Sequence, residues 1–318
     1  MLSQNHISLN DCVIRKVLYG LKVGVDCALC LFQRGYAEIL EATEDVSLRL
    51  EALEALFRLL AENFKPTAVP AEVGTMRERL IKKVTQNPDP YAEKKRVSNE
   101  VALKVLPSAE RLISEAGSIE DRFRRACLCA IVGNVIEFDI PGHNPNLEEV
   151  GSLIRRAEEE LAIDDIPEAY RMARDSSMVL YLTDNAGEIV LDTLLVRELK
   201  SLGPRVIVAV KGEPVYNDAT MEDALYVGMD RVADAVITTG TDAIGLSLKE
   251  CSREFLRLYE TADLVVAKGM GYAETITEFE VRRPHLLLLR TKCMNVAKYF
   301  GVERHRNVAR VLLPRKGS

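Results

Sequence analysis

The residues able to do chemistry gather in a few short segments of the second half of the chain: Thr183-Asp184-Asn185-Ala186-Gly187-Glu188, Lys211-Gly212-Glu213-Pro214, Asn217-Asp218-Ala219-Thr220, Thr239-Gly240-Thr241-Asp242 and Lys268-Gly269-Met270-Gly271. Asp184, Asn185 and Asp218 offer oxygen ligands, the kind that hard divalent cations such as magnesium or manganese prefer. The four histidines form no HExxH or other paired spacing, so a metal bound by oxygen is favoured over a histidine zinc site. Such a cation bridges to a phosphoryl oxygen, offsets the charge that develops during displacement and lowers the pKa of a bound water. An acidic neighbour then takes the proton. Lysine followed by glycine, at 211–212 and again at 268–269, suits close approach of an anion to exposed backbone amides.

Each residue also has an ordinary reading. Asp184 could cap a helix beginning near Gly187, and Asp218 one over Ala219–Val227. Lys211 and Lys268 could be solvated. Caps alone, however, do not require lysines and glycines in the same loops. Cys27-Ala28-Leu29-Cys30 is a CxxC, able to hold a metal or to exchange disulfides. Cys127 and Cys129 have the wrong spacing to complete a four-thiolate site and read as small hydrophobes in an apolar helix.

The elements that position these segments follow from periodicity. From Cys27 to Ile113 apolar residues recur at three and four, as in Leu50, Leu53, Leu56, Phe57 and Leu60, the spacing of one helix face. Pro66, Pro70, Pro88 and Pro90 divide this region into several helices. A further apolar helix spans Ala126–Ile136, before a breaker that starts at Asp139. After Pro167 come short runs rich in leucine and β-branched residues: Met178–Thr183, Arg205–Val210, Ala235–Thr239, Leu264–Ala267, His285–Leu289 and Val311–Leu313. Helix-length segments, Glu188–Leu202, Ala219–Val227, Gly245–Glu260 and Asn295–Phe300, lie between them. Such alternation predicts an α/β fold, a doubly wound, mainly parallel sheet, preceded by a helical domain. We place the helical domain at 1–125 and the α/β metal-binding domain at 126–318. In a sheet of this kind the functional crevice lies beyond the carboxyl ends of the strands, where the polar segments fall.

Composition agrees with a globular enzyme. The chain has 318 residues, 47% hydrophobic and 28% charged. A formal charge of −6 gives no cation excess for phosphate backbones, so nucleic acid is not expected as a partner. No run of about 18 apolar residues could span a bilayer, and the amino end lacks a secretory signal, which predicts a cytoplasmic protein with no membrane partner. Seven cysteines form an odd set in a chain too large to depend on disulfides, so reduced thiols are expected; the frayed end is Arg315–Ser318.

Read in order, the motifs resemble those of the damage-control phosphatase family, metal-dependent phosphatases once catalogued as a domain of unknown function. The resemblance runs through Cys27-x-x-Cys30 with Gln33-Arg34, Asp89-Pro90-Tyr91, Ser98-Asn99-Glu100, and Gly133-Asn134 with Glu137-Phe138. It continues through Asp184-Asn185-Ala186-Gly187-Glu188, Lys211-Gly212-x-Pro214, Asn217-Asp218-Ala219-Thr220, Lys268-Gly269-x-Gly271 and Lys292-Cys293. The DNxGE and NDAT elements are the most specific. The resemblance implies a helical amino-terminal part on a Rossmann-like core, and a divalent ion (Mg, Mn, Co or Ni) on Asp184, Asn185 and Asp218. It also implies hydrolysis of small phosphorylated metabolites, of the sugar phosphate or damaged cofactor-intermediate type, and the early CxxC resembles that of the microbial subgroup. Asp184 and Asp218 are then the catalytic residues, and Glu188, Lys211, Asn217, Lys268, Gly269 and Lys292 the expected substrate and phosphate contacts. Alanine at 186 disfavours an aspartyl-phosphate route and favours a metal-activated water, with direct attack by Asp184 as the alternative. Tyr272 stands where the family usually has asparagine, and Glu137 where aspartate is commoner. The rival functions are a zinc or thiol protein built on the CxxC and a carboxyl methyltransferase; no GxGxxG follows the first strand to support a dinucleotide enzyme. Oligomeric state is not encoded in any of these features.

Overall fold

A computed structural model describes residues 20–133 and 147–315. Cys12, Asn134, Glu137, Phe138, the breaker from Asp139 and the tail 316–318 lie outside the described residues, and the helix expected to reach Ile136 is described as far as Val132. Among the described residues six helices come first: α1 (Val25–Ala42), α2 (Val46–Asn63), α3 (Pro70–Thr85), α4 (Ala92–Ser114), α5 (Ile119–Val132) and α6 (Leu147–Glu159). Their boundaries follow local chemistry. Asp45 caps α2 by accepting from the amides of Ser47 and Leu48. Pro70 sits in the first turn of α3, where a missing N–H has no intrahelical partner to lose. Helices α1, α2 and α3 pack together, and Gly35 lets them close up: a Cβ there would lie 2.8 Å from both Arg77 Cδ and Leu56 Cδ2.

Seven strands of the described residues follow: β1 (Leu161–Asp164), β2 (Met178–Leu182), β3 (Arg205–Val210), β4 (Ala235–Thr238), β5 (Leu264–Lys268), β6 (His285–Arg290) and β7 (Asn307–Leu312). Between them run α7 (Ile166–Asp175), α8 (Glu188–Ser201), α9 (Met221–Tyr226), α10 (Met229–Val232), α11 (Arg253–Thr261), α12 (Gly269–Ile276) and α13 (Met294–Phe300). The strand order is β1-β7-β6-β5-β2-β3-β4, parallel throughout except between β6 and β7. Alternate side chains serve two layers. Val179, Tyr181, Val206, Val208, Leu264 and Val266 pack in one core with α4, α5 and α8. Leu180, Leu182, Ile207, Ala209, Val265 and Ala267 pack in the other with Phe255, Tyr272, Ile276 and Val296 of α11, α12 and α13. No helix of the described residues is long and apolar enough to cross a membrane.

Three differences from the sequence expectation have physical causes. β1 was not anticipated, because it is a short edge strand with alternate residues exposed. The helix expected over 245–260 begins only at Arg253, where Ser252 caps it by accepting from the Phe255 amide. β7 starts at Asn307 and runs antiparallel to β6, which the alternation of strands and helices did not foretell.

Candidate active site

From β2 the chain steps to β3 and β4 on one side, then returns to β5 on the other side of β2. The crevice of an open sheet opens at such a reversal, here beyond the carboxyl ends of β2 and β5. The loops after β2 and β3 are tied together there: the Ala186 amide donates to the Asn217 carbonyl (2.8 Å) and the Ala219 amide to the Asp184 carbonyl (2.8 Å). This antiparallel bridge, centred on Asn185 and Asp218, brings Asp184, Asn185 and Asp218 to one rim. The start of α12, directly after β5, closes the third side. Gly269 has φ +83°, and a Cβ there would collide with the Asp184 carboxylate. Asn185 Nδ2 donates to Asp184 Oδ2 (3.2 Å) and to Glu188 Oε1. Neither aspartate is used up as a cap: the N-cap of α8 is Gly187, with no side-chain cap, and α9 is capped by Thr220 with Asp223.

The lysines are distributed unevenly. Lys268 Nζ is buried, donates to Asp192 Oδ1 (2.7 Å) and lies 3.5 Å from Glu188 Oε2; Tyr181 donates to the same Asp192 oxygen (2.8 Å). Lys211 Nζ, also buried, donates to the carbonyls of Ala243 (2.7 Å) and Gly245 (2.9 Å), lies 3.5 Å from Asp218 Oδ2 and sits over the Tyr272 ring. Lys292 is exposed. Burial drives Asp184 well above the usual carboxyl range, reinforced by Glu188 and Asp218 and opposed by Lys268 and Lys292. Burial likewise pushes Asp218 up to about 6 against the pull of Lys211, with Glu78 and Glu188 adding to the rise. Carboxylates that destabilise one another's charge are the environment a cation relieves. Asn217 Oδ1, buried and without a hydrogen-bond partner among the described residues, adds an unused oxygen to the rim. The donor set is two carboxylates and amide oxygens, which suits a hard cation; among the described residues no group of three or more His, Cys, Asp or Glu is placed to hold a metal.

The model of the damage-control phosphatase ARMT1-like domain matches residues 23–308. The chain belongs to the damage-control phosphatase family. It is 36% identical over 293 residues to the damage-control phosphatase of Archaeoglobus fulgidus, covering 92% of this chain and 100% of that one. It is 33% identical over 283 residues to that of Pyrococcus horikoshii, covering 89% of this chain and 95% of the relative. The crystal structure of a DUF89 family protein from Pyrococcus horikoshii matches with a TM-score of 0.83 at 33% identity, over 91% of this chain and 98% of that one.

In this member of the family the helical layer supplies groups that strand-end reasoning missed. Asn99 of α4 accepts from the Gly187 amide (2.7 Å) and donates to Asp223 Oδ1 (2.8 Å), joining the loop after β2 to the cap of α9. It lies in the Ser98-Asn99-Glu100 motif, the one signal that could have found it. From α3, Thr75 Oγ1 accepts from the Ile244 amide (2.9 Å), Glu78 Oε2 from the Tyr216 amide (3.0 Å), and Lys82 donates to the Pro214 carbonyl (2.7 Å). Glu78 sits among Arg77, Arg79, Lys82 and Lys83, a run that reads as a solvated face, so sequence offered no signal for it. Tyr272 is buried with its hydroxyl unpartnered among the described residues. Beside the rim, a cavity of about 210 Å³ is lined by Cys27, Cys30, Arg34, Met270, Glu274 and Lys292 among others. The CxxC thus faces this cavity as free thiols, with burial pushing Cys27 up to about 11, while Cys127 and Cys129 are buried in α5.

Proposed function

We propose that this chain is a metal-dependent phosphatase acting on small phosphorylated metabolites, of the sugar phosphate or damaged cofactor-intermediate type. The observation that carries the reading is the backbone bridge between the loops after β2 and β3, which gathers Asp184, Asn185 and Asp218 at the reversal of strand order. Its relatives named as damage-control phosphatases support the hydrolase class. Asp184, Asn185 and Asp218 would hold a divalent ion (Mg, Mn, Co or Ni), which when bound supplies charge neutralisation at the phosphoryl oxygens and acidifies an attacking water. Asp184 or Asp218 accepts the proton of that water. The positive φ at Gly269, with no Cβ, leaves room for the Asp184 carboxylate to lie against the start of α12 at the rim. Lys292 offers the exposed cation for a phosphoryl oxygen, whereas Lys268 and Lys211, engaged by protein acceptors, act by fixing the acids and by their charge. The adjoining cavity has room for a small alcohol portion.

The test is direct. Protein stripped with a chelator is expected to hydrolyse an aryl phosphate only after a divalent ion is restored, and Asp184→Ala or Asp218→Ala to abolish that activity. Full activity in either variant would remove the ligand assignment. A panel of phosphorylated metabolites, assayed with each metal, then ranks the substrates.

A further inference from the structure

Tyr216 stands two residues before Asp218 and has φ +46°, the left-handed region that a bulky side chain rarely adopts. The turn it belongs to is closed by the Asp218 amide donating to the Val215 carbonyl (3.0 Å). The next residue, Asn217, accepts the Ala186 amide. The torsion at 216 therefore sets the direction in which Asp218 leaves the turn. What holds it is not local. The Tyr216 amide donates to Glu78 Oε2 (3.0 Å), and Glu78 comes from α3 and is 1% exposed. The other carboxyl oxygen of Glu78 accepts from Arg77, whose Nε lies 3.6 Å from Glu38 Oε2. Glu78 is thus fixed from behind by its neighbour in α3. The Tyr216 ring is gripped too, by Tyr91 at 4.7 Å between centroids and by the Arg34 guanidinium over the ring at 5.2 Å.

We propose that Glu78 is a positioning residue for the site: by accepting the Tyr216 amide it locks the left-handed turn that aims Asp218 at the rim. This deepens the phosphatase reading and rests on it. The competing account makes Glu78 only a buried counter-ion for Arg77. The two differ in what glycine at 216 would do, because glycine takes a positive φ without being held.

The experiment uses full-length protein carrying Glu78→Ala, Glu78→Asp, Tyr216→Gly, and Glu78→Ala with Tyr216→Gly. Amide exchange of the segment 215–220, Mn²⁺ affinity by titration, and kcat and KM on an aryl phosphate are measured for each. Glu78→Asp keeps the charge beside Arg77 but withdraws the acceptor by about one carbon–carbon bond, so it stays informative where Glu78→Ala fails to fold. Expected for both Glu78 variants are faster exchange confined to 215–220, Mn²⁺ affinity lower by about tenfold and kcat lower by about a hundredfold. In the Tyr216→Gly background, Glu78→Ala should then change Mn²⁺ affinity and kcat by less than about threefold. Wild-type exchange at 215–220 in Glu78→Asp, or costs that multiply fully in the double variant, would overturn the proposal. If the unaltered protein neither binds Mn²⁺ nor hydrolyses the ester, the phosphatase reading fails, and exchange at 215–220 alone still decides the role of Glu78.

Discussion

At Gly269 the chain needs a positive φ and the space that a Cβ would fill, and the space belongs to the Asp184 carboxylate. Gly269→Ala is therefore expected to move that carboxylate and to lower kcat about a hundredfold, as misplacement by an ångström does, while the protein stays folded by circular dichroism. An unchanged kcat would mean that the position of Asp184 is not critical. Lys268, next to it, makes a different case. Its ammonium is buried against Asp192, whose carboxylate, with that of Glu188, holds the lysine above its usual range although burial alone would lower it. Removing one partner of a buried pair leaves the other uncompensated, so Asp192→Ala should cost about 3–5 kcal/mol in urea unfolding. A loss below about 1 kcal/mol would show that solvent reaches the lysine. That the loops carrying Asp184, Asn185 and Asp218 meet at one rim was legible in the sequence, because strand ends and oxygen donors are both read from residue type. Asp192 was not, since nothing in a helical run says which of its carboxylates turns back towards the preceding strand's neighbour.

The strands were legible as elements where both faces are buried. β2, β3, β5 and β6 are continuous apolar runs, and the structure places them within a residue or two of their expected bounds. β1 and the turns at 245–252 were not, because an edge strand has a polar face and a turn stabilised by Thr275 Oγ1, accepting from the Leu246 amide, depends on a distant residue. His285 shows what such burial does to an ionisable group. It opens β6, fully buried, with Nε2 2.9 Å from the Tyr259 hydroxyl and Nδ1 2.8 Å from the Arg283 carbonyl, and burial lowers its pKa to about 4. An unfolded histidine takes its proton near 6.5. Between those values the unfolded chain binds more protons, so this contribution to stability is complete above about 6.5 and is lost as the pH falls towards 4, by up to about 3 kcal/mol. Urea unfolding at pH 7 and pH 4.5 should show a smaller drop for His285→Gln than for the unaltered protein. Equal drops would mean that His285 titrates normally.

The arrangement of the whole molecule explains why a helical layer precedes the sheet. One face of α3 presents Thr75, Glu78, Arg79 and Lys82 to loops after β3 and β4, and α4 presents Asn99 to the loop after β2 and to the first turn of α9, so the rim is set by two layers at once. The existence of the helices was legible from spacing; their docking was not, because it depends on charged side chains that look alike in sequence whether solvated or paired. Asp242 is the clearest joint. It accepts from Arg79 (2.6 Å) and Lys82 (2.9 Å), and although burial would raise its pKa, these two bonds hold it below the usual carboxyl value. Asp242→Ala leaves Lys82 mostly covered and without its carboxylate, a loss of about 1–3 kcal/mol at the joint. If the rim opens as its own cooperative unit, amide exchange should rise in α3 and in the loops at 213–218 and 240–245, with β2 and β5 still protected to the level of global unfolding. An equal rise in the central strands would instead mean that helices and sheet come apart only together, and the joint would then stabilise the entire fold rather than the rim.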